Sequence, residues 1–155
     1  MAVSVKVLIL WRVSNYQTLD GVGGLYVSGR WHTKGRPVVY CTLNPATALL
    51  ETLVHIEIDS EDRPEHFQVL RIEGPDTLSR EKIDIGALAP NWADELSITQ
   101  GIGDNWLREK RSLLLEVPSV LVPETWNTLV NPLHPEASLL KVTGIFEHAF
   151  DSRLF

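Results

Sequence analysis

Apolar residues alternate at the start of the chain: Val5, Val7, Ile9, Trp11 and Val13 fall on one side, and Leu8, Leu10 and Arg12 on the other. That period of two predicts a strand over 5–13. Gly21, Gly23, Gly24 and Gly29 then mark a flexible segment that allows close backbone approach. A second strand is predicted over 36–42, with Val38 and Tyr40 on one face. The period next becomes helical. Asn44 is placed to cap, Pro45 to take the first helical position, and Ala46, Leu49, Leu50, Leu53 and Val54 to form an apolar stripe. Glu51 lies off that stripe, on the side shared with Ala48 and His55.

Strand character returns over 54–58 and 67–72. The stretch 74–103 is turn-rich, and Asp104 or Asn105 is placed to cap a short helix through Arg111. Further strands are expected at 113–116, 119–122 and near 139–146. Many short strands with two or three helices predict an α+β fold. No linker, repeat or low-complexity tract divides residues 1–155, so a single domain is expected.

Composition narrows the function classes. A net charge of −6 lacks the basic footprint that non-specific nucleic-acid binding needs, so the chain alone is not expected to bind nucleic acid. The one basic cluster, Arg108 to Arg111, is interrupted by Glu109 and reads as a solvated helix face. Cys41 is the only cysteine, which excludes an internal disulfide and suits a reducing compartment. The apolar run 7–11 is too short to span a bilayer, and the start of the chain has no signal-peptide pattern. A soluble cytoplasmic protein with no membrane contact is the expectation.

Candidate chemistry gathers around Arg30, Tyr40 and Glu51. Arg30 follows the glycine-rich segment, where a guanidinium can grip a phosphate in two-pronged fashion. Tyr40 offers a flat face to a planar ring, and Glu51 sits on the helix that follows that strand after a short turn. Each also has an ordinary reading: a loop arginine, a core tyrosine with its hydroxyl at an edge, a solvated helix glutamate. Residue types alone leave both readings open.

Ordered motifs extend along nearly the whole chain. Trp11-Arg12 is followed by Gly29-Arg30-Trp31-His32 with Gly35, then Val39-Tyr40 and Leu50-Glu51-Thr52-Leu53-Val54-His55. Thr99 with Gly103-Asp104-Asn105-Trp106 comes next, then Val117-Pro118-Ser119-Val120 and Asn131-Pro132-Leu133-His134-Pro135. In this order and spacing they resemble the RES-domain family, the toxin halves of RES–Xre toxin–antitoxin pairs. The resemblance implies an ADP-ribosyltransferase-like fold, with a central split, mixed or antiparallel sheet flanked by helices. It implies a toxin that degrades NAD as substrate, with no separate cofactor or metal, and arrests bacterial growth. The arginine, glutamate and serine of the family name fall on Arg30, Glu51 and Ser119. Arg30 and Arg12 would hold the dinucleotide, Tyr40 would stack on nicotinamide, and Trp31, Ser119 and Asn131 would contact substrate or orient Glu51. His32 departs from the asparagine frequent in the family, and Cys41 from a smaller residue.

Such a site needs only one carboxylate. Ordinary glycoside hydrolysis uses two, one of them an acid for a poor leaving group. Nicotinamide is cationic in NAD and leaves as a neutral amide, so Glu51 alone can stabilise the developing ribosyl cation. Water, phosphate or a protein side chain then remains open as acceptor. The nearest rival is therefore an ADP-ribosyltransferase that modifies a protein. A metal-dependent hydrolase using His32, His55, His134 and Glu51 is disfavoured by the E-x-x-x-H order, and a non-catalytic binding module by the intact trio. The implied partner is an Xre-type helix-turn-helix antitoxin. A homodimer is compatible with the sequence, which offers no interface for it.

Overall fold

A computed structural model describes residues 6–56 and 63–155. Seven strands form one sheet: β1 (Val7–Val13), β2 (Val39–Thr42), β3 (His66–Pro75), β4 (Arg80–Lys82), β5 (Leu114–Pro118), β6 (Trp126–Val130) and β7 (Lys141–Ala149). The helices are α1 (Gly23–Tyr26), α2 (Pro45–Leu53) and α3 (Leu96–Glu109). The spatial order is β4-β5-β6-β2-β1-β3-β7, with β4 and β5 parallel and every other neighbouring pair antiparallel. The α+β class and mixed sheet expected above are observed.

The sheet is least continuous at its middle. β1 pairs with β3 without interruption from Val7↔Pro75 to Val13↔Val69, and β2 pairs with β6 along its whole length. Between β1 and β2 the only register pair is Trp11↔Thr42. Beyond that pair the strands part, leaving a gap flanked by Arg12 and Val13 on one side and Tyr40 and Cys41 on the other. The period of two sorts the core into two clusters. Leu10, Val39, Cys41, Ile72, Leu114 and Val130 pack together, while Val38 and Tyr40 join Trp31, Trp106, Leu115 and Leu129.

Helix α2 begins as expected: Asn44 Oδ1 accepts the Thr47 N–H at 2.8 Å, with proline at the start of the helix. Its orientation corrects the apolar-stripe reading. Ala48 is the buried residue, whereas Ala46, Leu50 and Val54 are exposed. The small Ala48 lets the helix lie close to β1 and β2, and hydrogen bonds draw Glu51, one turn on, inward. The strand expected over 54–58 is absent at 54–56, which form a turn; residues 57 and 58 lie outside the described residues, as does Val5.

Two more expectations are corrected. Residues 119–122 turn rather than extend, and the strand falls later, at β6. Helix α3 starts at Leu96, so Asp104 is an interior residue and not a cap. Glycines hid this helix, because Gly101 and Gly103 lower helical propensity. Gly103 has a packing cause: a Cβ there would overlap the Trp31 carbonyl. Helix and loop thus meet backbone to backbone, and side chains bolt them together. Thr99 Oγ1 donates to Arg30 O at 2.5 Å, Gln100 Nε2 to Gly29 O at 3.0 Å, and Asp104 accepts from both Thr33 N and Thr33 Oγ1.

Candidate active site

A cavity of about 700 Å³ opens at the gap between β1 and β2 and is lined by Arg12, Arg30, Tyr40, Glu51, Ser119 and Asn127 among others. The trio singled out in the sequence converges there. Glu51 Oε1 accepts two hydrogen bonds, from Ser119 Oγ at 2.6 Å and from Asn127 Nδ2 at 2.8 Å. Ser119 Oγ in turn accepts the N–H groups of Leu121 and Val122 at 3.1 and 3.3 Å. Among the described residues no protein group donates to Glu51 Oε2, so one carboxylate oxygen is held and its twin is left available.

Tyr40 is fixed by its hydroxyl. His32 Nε2 lies 2.9 Å from the Val27 carbonyl, which can only accept, so that nitrogen carries the proton. Nδ1 is then the acceptor for Tyr40 Oη at 2.7 Å, and Oη accepts the Trp31 N–H at 3.1 Å. Gly29 completes the fit, since a Cβ there would strike the tyrosine hydroxyl. Burial pushes the Tyr40 phenol well above its ordinary range. The phenol therefore stays neutral and its proton is committed to His32, leaving the ring to meet a ligand.

The two arginines differ. Arg30 Nη1 donates to the Ala93 carbonyl at 3.0 Å, which steers the side chain without neutralising it. Arg12 has no hydrogen-bond or ion-pair partner among the described residues, although burial lowers its guanidinium below its ordinary value, an effect opposed by Cys41 and Asp20. Cys41 is no counter-ion, because burial pushes its thiol up to about 12, despite the pull of Arg12. A partly desolvated cation with no ion-paired carboxylate among the described residues is costly to the fold, and it is what a phosphate-bearing ligand would satisfy.

Trp31 lines the cavity, but its indole belongs to the second core cluster and faces Trp92 with centroids 6.3 Å apart. Asn131, expected to contact substrate or orient Glu51, neither bonds Glu51 nor lines the cavity. It is buried and absent from the cavity wall: Nδ2 donates to Leu107 O at 3.0 Å, and Oδ1 accepts the Leu133 N–H at 3.1 Å. Asn127, four residues earlier, is the asparagine that bonds Glu51. Strand period was the signal that could have found it, had β6 been recognised, since Asn127 shares a face with Leu129 and lies opposite Thr42. No group of three or more histidine, cysteine or acidic residues gathers to hold a metal among the described residues.

His32 predicts a pH dependence of stability. It is 3 % exposed, and burial lowers its imidazole from the ordinary 6.5, opposed by backbone hydrogen bonds of Val27 and Gly24 and by the Asp104 charge. The unfolded chain takes up that proton first, so stability falls as pH drops below about 6.5 and levels off once the folded histidine protonates too. His32→Asn keeps an acceptor and a donor without titrating. Its melting temperature is expected to fall less than that of wild type between about pH 7.5 and pH 5; parallel curves would refute the assignment.

Comparison with known proteins identifies the family of the chain. The RES-domain model matches residues 9–151. The toxin Res of Pseudomonas putida KT2440 is 49% identical over 148 residues, covering 96% of this chain and all of that protein. The Prs ADP-ribosylating toxin of Sphingobium sp. YBL2 is 34% identical over 154 residues, covering 93% of this chain and 94% of its own. In fold, a chain of the crystal structure of the M. tuberculosis MbcT–MbcA toxin–antitoxin complex superposes with a TM-score of 0.73 at 14% identity, covering 94% of this chain and 86% of that one. With a family match over most of its length and a full-length relative at nearly half identity, the chain belongs to the RES-domain family.

Proposed function

We propose that this chain is the toxin of a bacterial toxin–antitoxin pair and that it cleaves the nicotinamide–ribose bond of NAD. The observation that carries the reading is Glu51: one oxygen is pinned by Ser119 and Asn127, and the other has no donor among the described residues, in a cavity that also holds Arg12, which has no ion-pair partner among them. In the step proposed, the bond between ribose C1′ and the pyridinium nitrogen breaks. Its electron pair leaves with nicotinamide, which becomes neutral without a proton. The ribosyl cation that develops is stabilised by Glu51 Oε2. Water then adds its oxygen to C1′ and gives up a proton, leaving ADP-ribose. Arg12 and Arg30 hold the diphosphate, and the anchored Tyr40 ring packs against nicotinamide. An Xre-type antitoxin and a cytoplasmic location belong to the same reading.

The relative named as an ADP-ribosylating toxin favours a second reading, in which a protein side chain replaces water as acceptor. Purified protein and NAD labelled in the adenosine half separate the two. Free nicotinamide with free labelled ADP-ribose supports hydrolysis, and label retained on an added protein supports transfer. No release of nicotinamide under either condition overturns the proposal.

Arg12→Met tests the cation separately. Losing a charge-assisted contact to phosphate is expected to raise KM for NAD about 10- to 100-fold. Removing a half-buried cation that has no hydrogen-bond or ion-pair partner among the described residues is expected to raise the melting temperature as well. Lower stability with an unchanged KM would show that Arg12 serves the fold and not the ligand.

A further inference from the structure

We propose that Asn127 is a positioning residue that sets the orientation of the Glu51 carboxylate. This rests on the reading of Glu51 as the group that meets the ribose. Asn127 extends from β6 opposite Thr42 of β2 and Val117 of β5, on the sheet face it shares with Leu129. An apolar residue would suit that face. The amide instead spends its Nδ2 on Glu51 Oε1, while its Oδ1 is buried with no hydrogen-bond partner among the described residues. Native interiors rarely leave such an atom unpaired, and the exceptions call for a reason. Here the reason lies across the cavity. Turning the amide over would set Oδ1 against the accepting oxygen Glu51 Oε1, so the contact with Glu51 selects the orientation that orphans Oδ1. The fold gains from this amide a single donor, aimed at Glu51.

The second donor explains why one would not suffice. Ser119 reaches the same Oε1, and its hydroxyl is fixed by the two backbone N–H groups it accepts. A carboxylate held by Ser119 alone could swing about that contact. Asn127 adds a second bond to the same oxygen from strand β6, which fixes the plane of the carboxylate.

Asn127→Leu removes both the donor and the orphaned oxygen at similar volume. Its kcat for nicotinamide release is expected to fall about 10- to 100-fold, as for other residues that orient a catalytic group. KM should change little. Melting temperature should be retained or raised. In its crystal structure the Glu51 carboxylate should leave the plane it holds in the wild type. Wild-type kcat in Asn127→Leu, while Glu51→Gln is inactive in the same assay, would overturn the proposal and leave the NAD reading standing. A wild type that releases no nicotinamide would overturn the NAD reading instead. The crystal structure still decides the positioning role then, and an unmoved carboxylate would overturn it.

Discussion

Glu51→Gln is expected to slow nicotinamide release by about 10²- to 10³-fold, the cost of removing one preorganised electrostatic stabiliser from a site. The substitution is nearly isosteric. A glutamine oxygen can accept from Ser119 and Asn127 as Oε1 does now, so the helix and the turn at 119–122 keep their ties. What disappears is the negative charge beside the ribose, and the amide nitrogen that replaces Oε2 presents a donor where an acceptor was needed. KM should change by much less than kcat, because the charge acts mainly once the glycosidic bond has begun to open. Single-turnover measurement with saturating NAD checks this directly. A variant within tenfold of wild type would remove Glu51 from the mechanism.

Gly103→Ala is expected to produce the largest loss of stability of any single-methyl addition in α3. Its Cβ would overlap the Trp31 carbonyl oxygen, a backbone atom that cannot rotate away. Helix and loop would have to separate, breaking the fit that Thr99, Gln100 and Asp104 maintain with residues 29–33. Overpacking typically costs about 1–3 kcal/mol, and a clash between two backbones belongs at or above the top of that range. Gly101 supplies the control on the same helix, since nothing lies within 4 Å of its would-be Cβ. Gly101→Ala should leave stability unchanged or raise it by about 0.5–1 kcal/mol through helical propensity. Denaturant unfolding of both variants checks the pair, and similar midpoints would contradict the packing described.

Local signals were legible in the chain, and signals that depend on distant partners were not. Asn44-Pro45 announced α2 because capping is settled within four residues. The facing of that helix was not announced, because Ala48 turns inward on account of strands and donors elsewhere in the chain. Likewise α3 was shortened at its start, where Gly103 answers to Trp31 and not to its neighbours in sequence. Arg12, Arg30, Tyr40, Glu51 and Ser119 were all named from motif order, and all line the cavity. Asn131 was named on the same grounds and instead secures the end of β6 to α3 and the following turn. Asn127 was missed because β6 carries too little alternation to be read as a strand, and an asparagine facing a core draws notice only once its partner is known.

The bonds that hold Glu51 come from 68 and 76 residues further along the chain. They form only after β6 has been laid between β5 and β2. Contacts of such separation close late in folding. A ribosome that has released the first hundred residues has exposed the arginines, the tyrosine and the glutamate, yet none of the donors that aim the carboxylate. The donors that aim the carboxylate are thereby the last part of the site to be made.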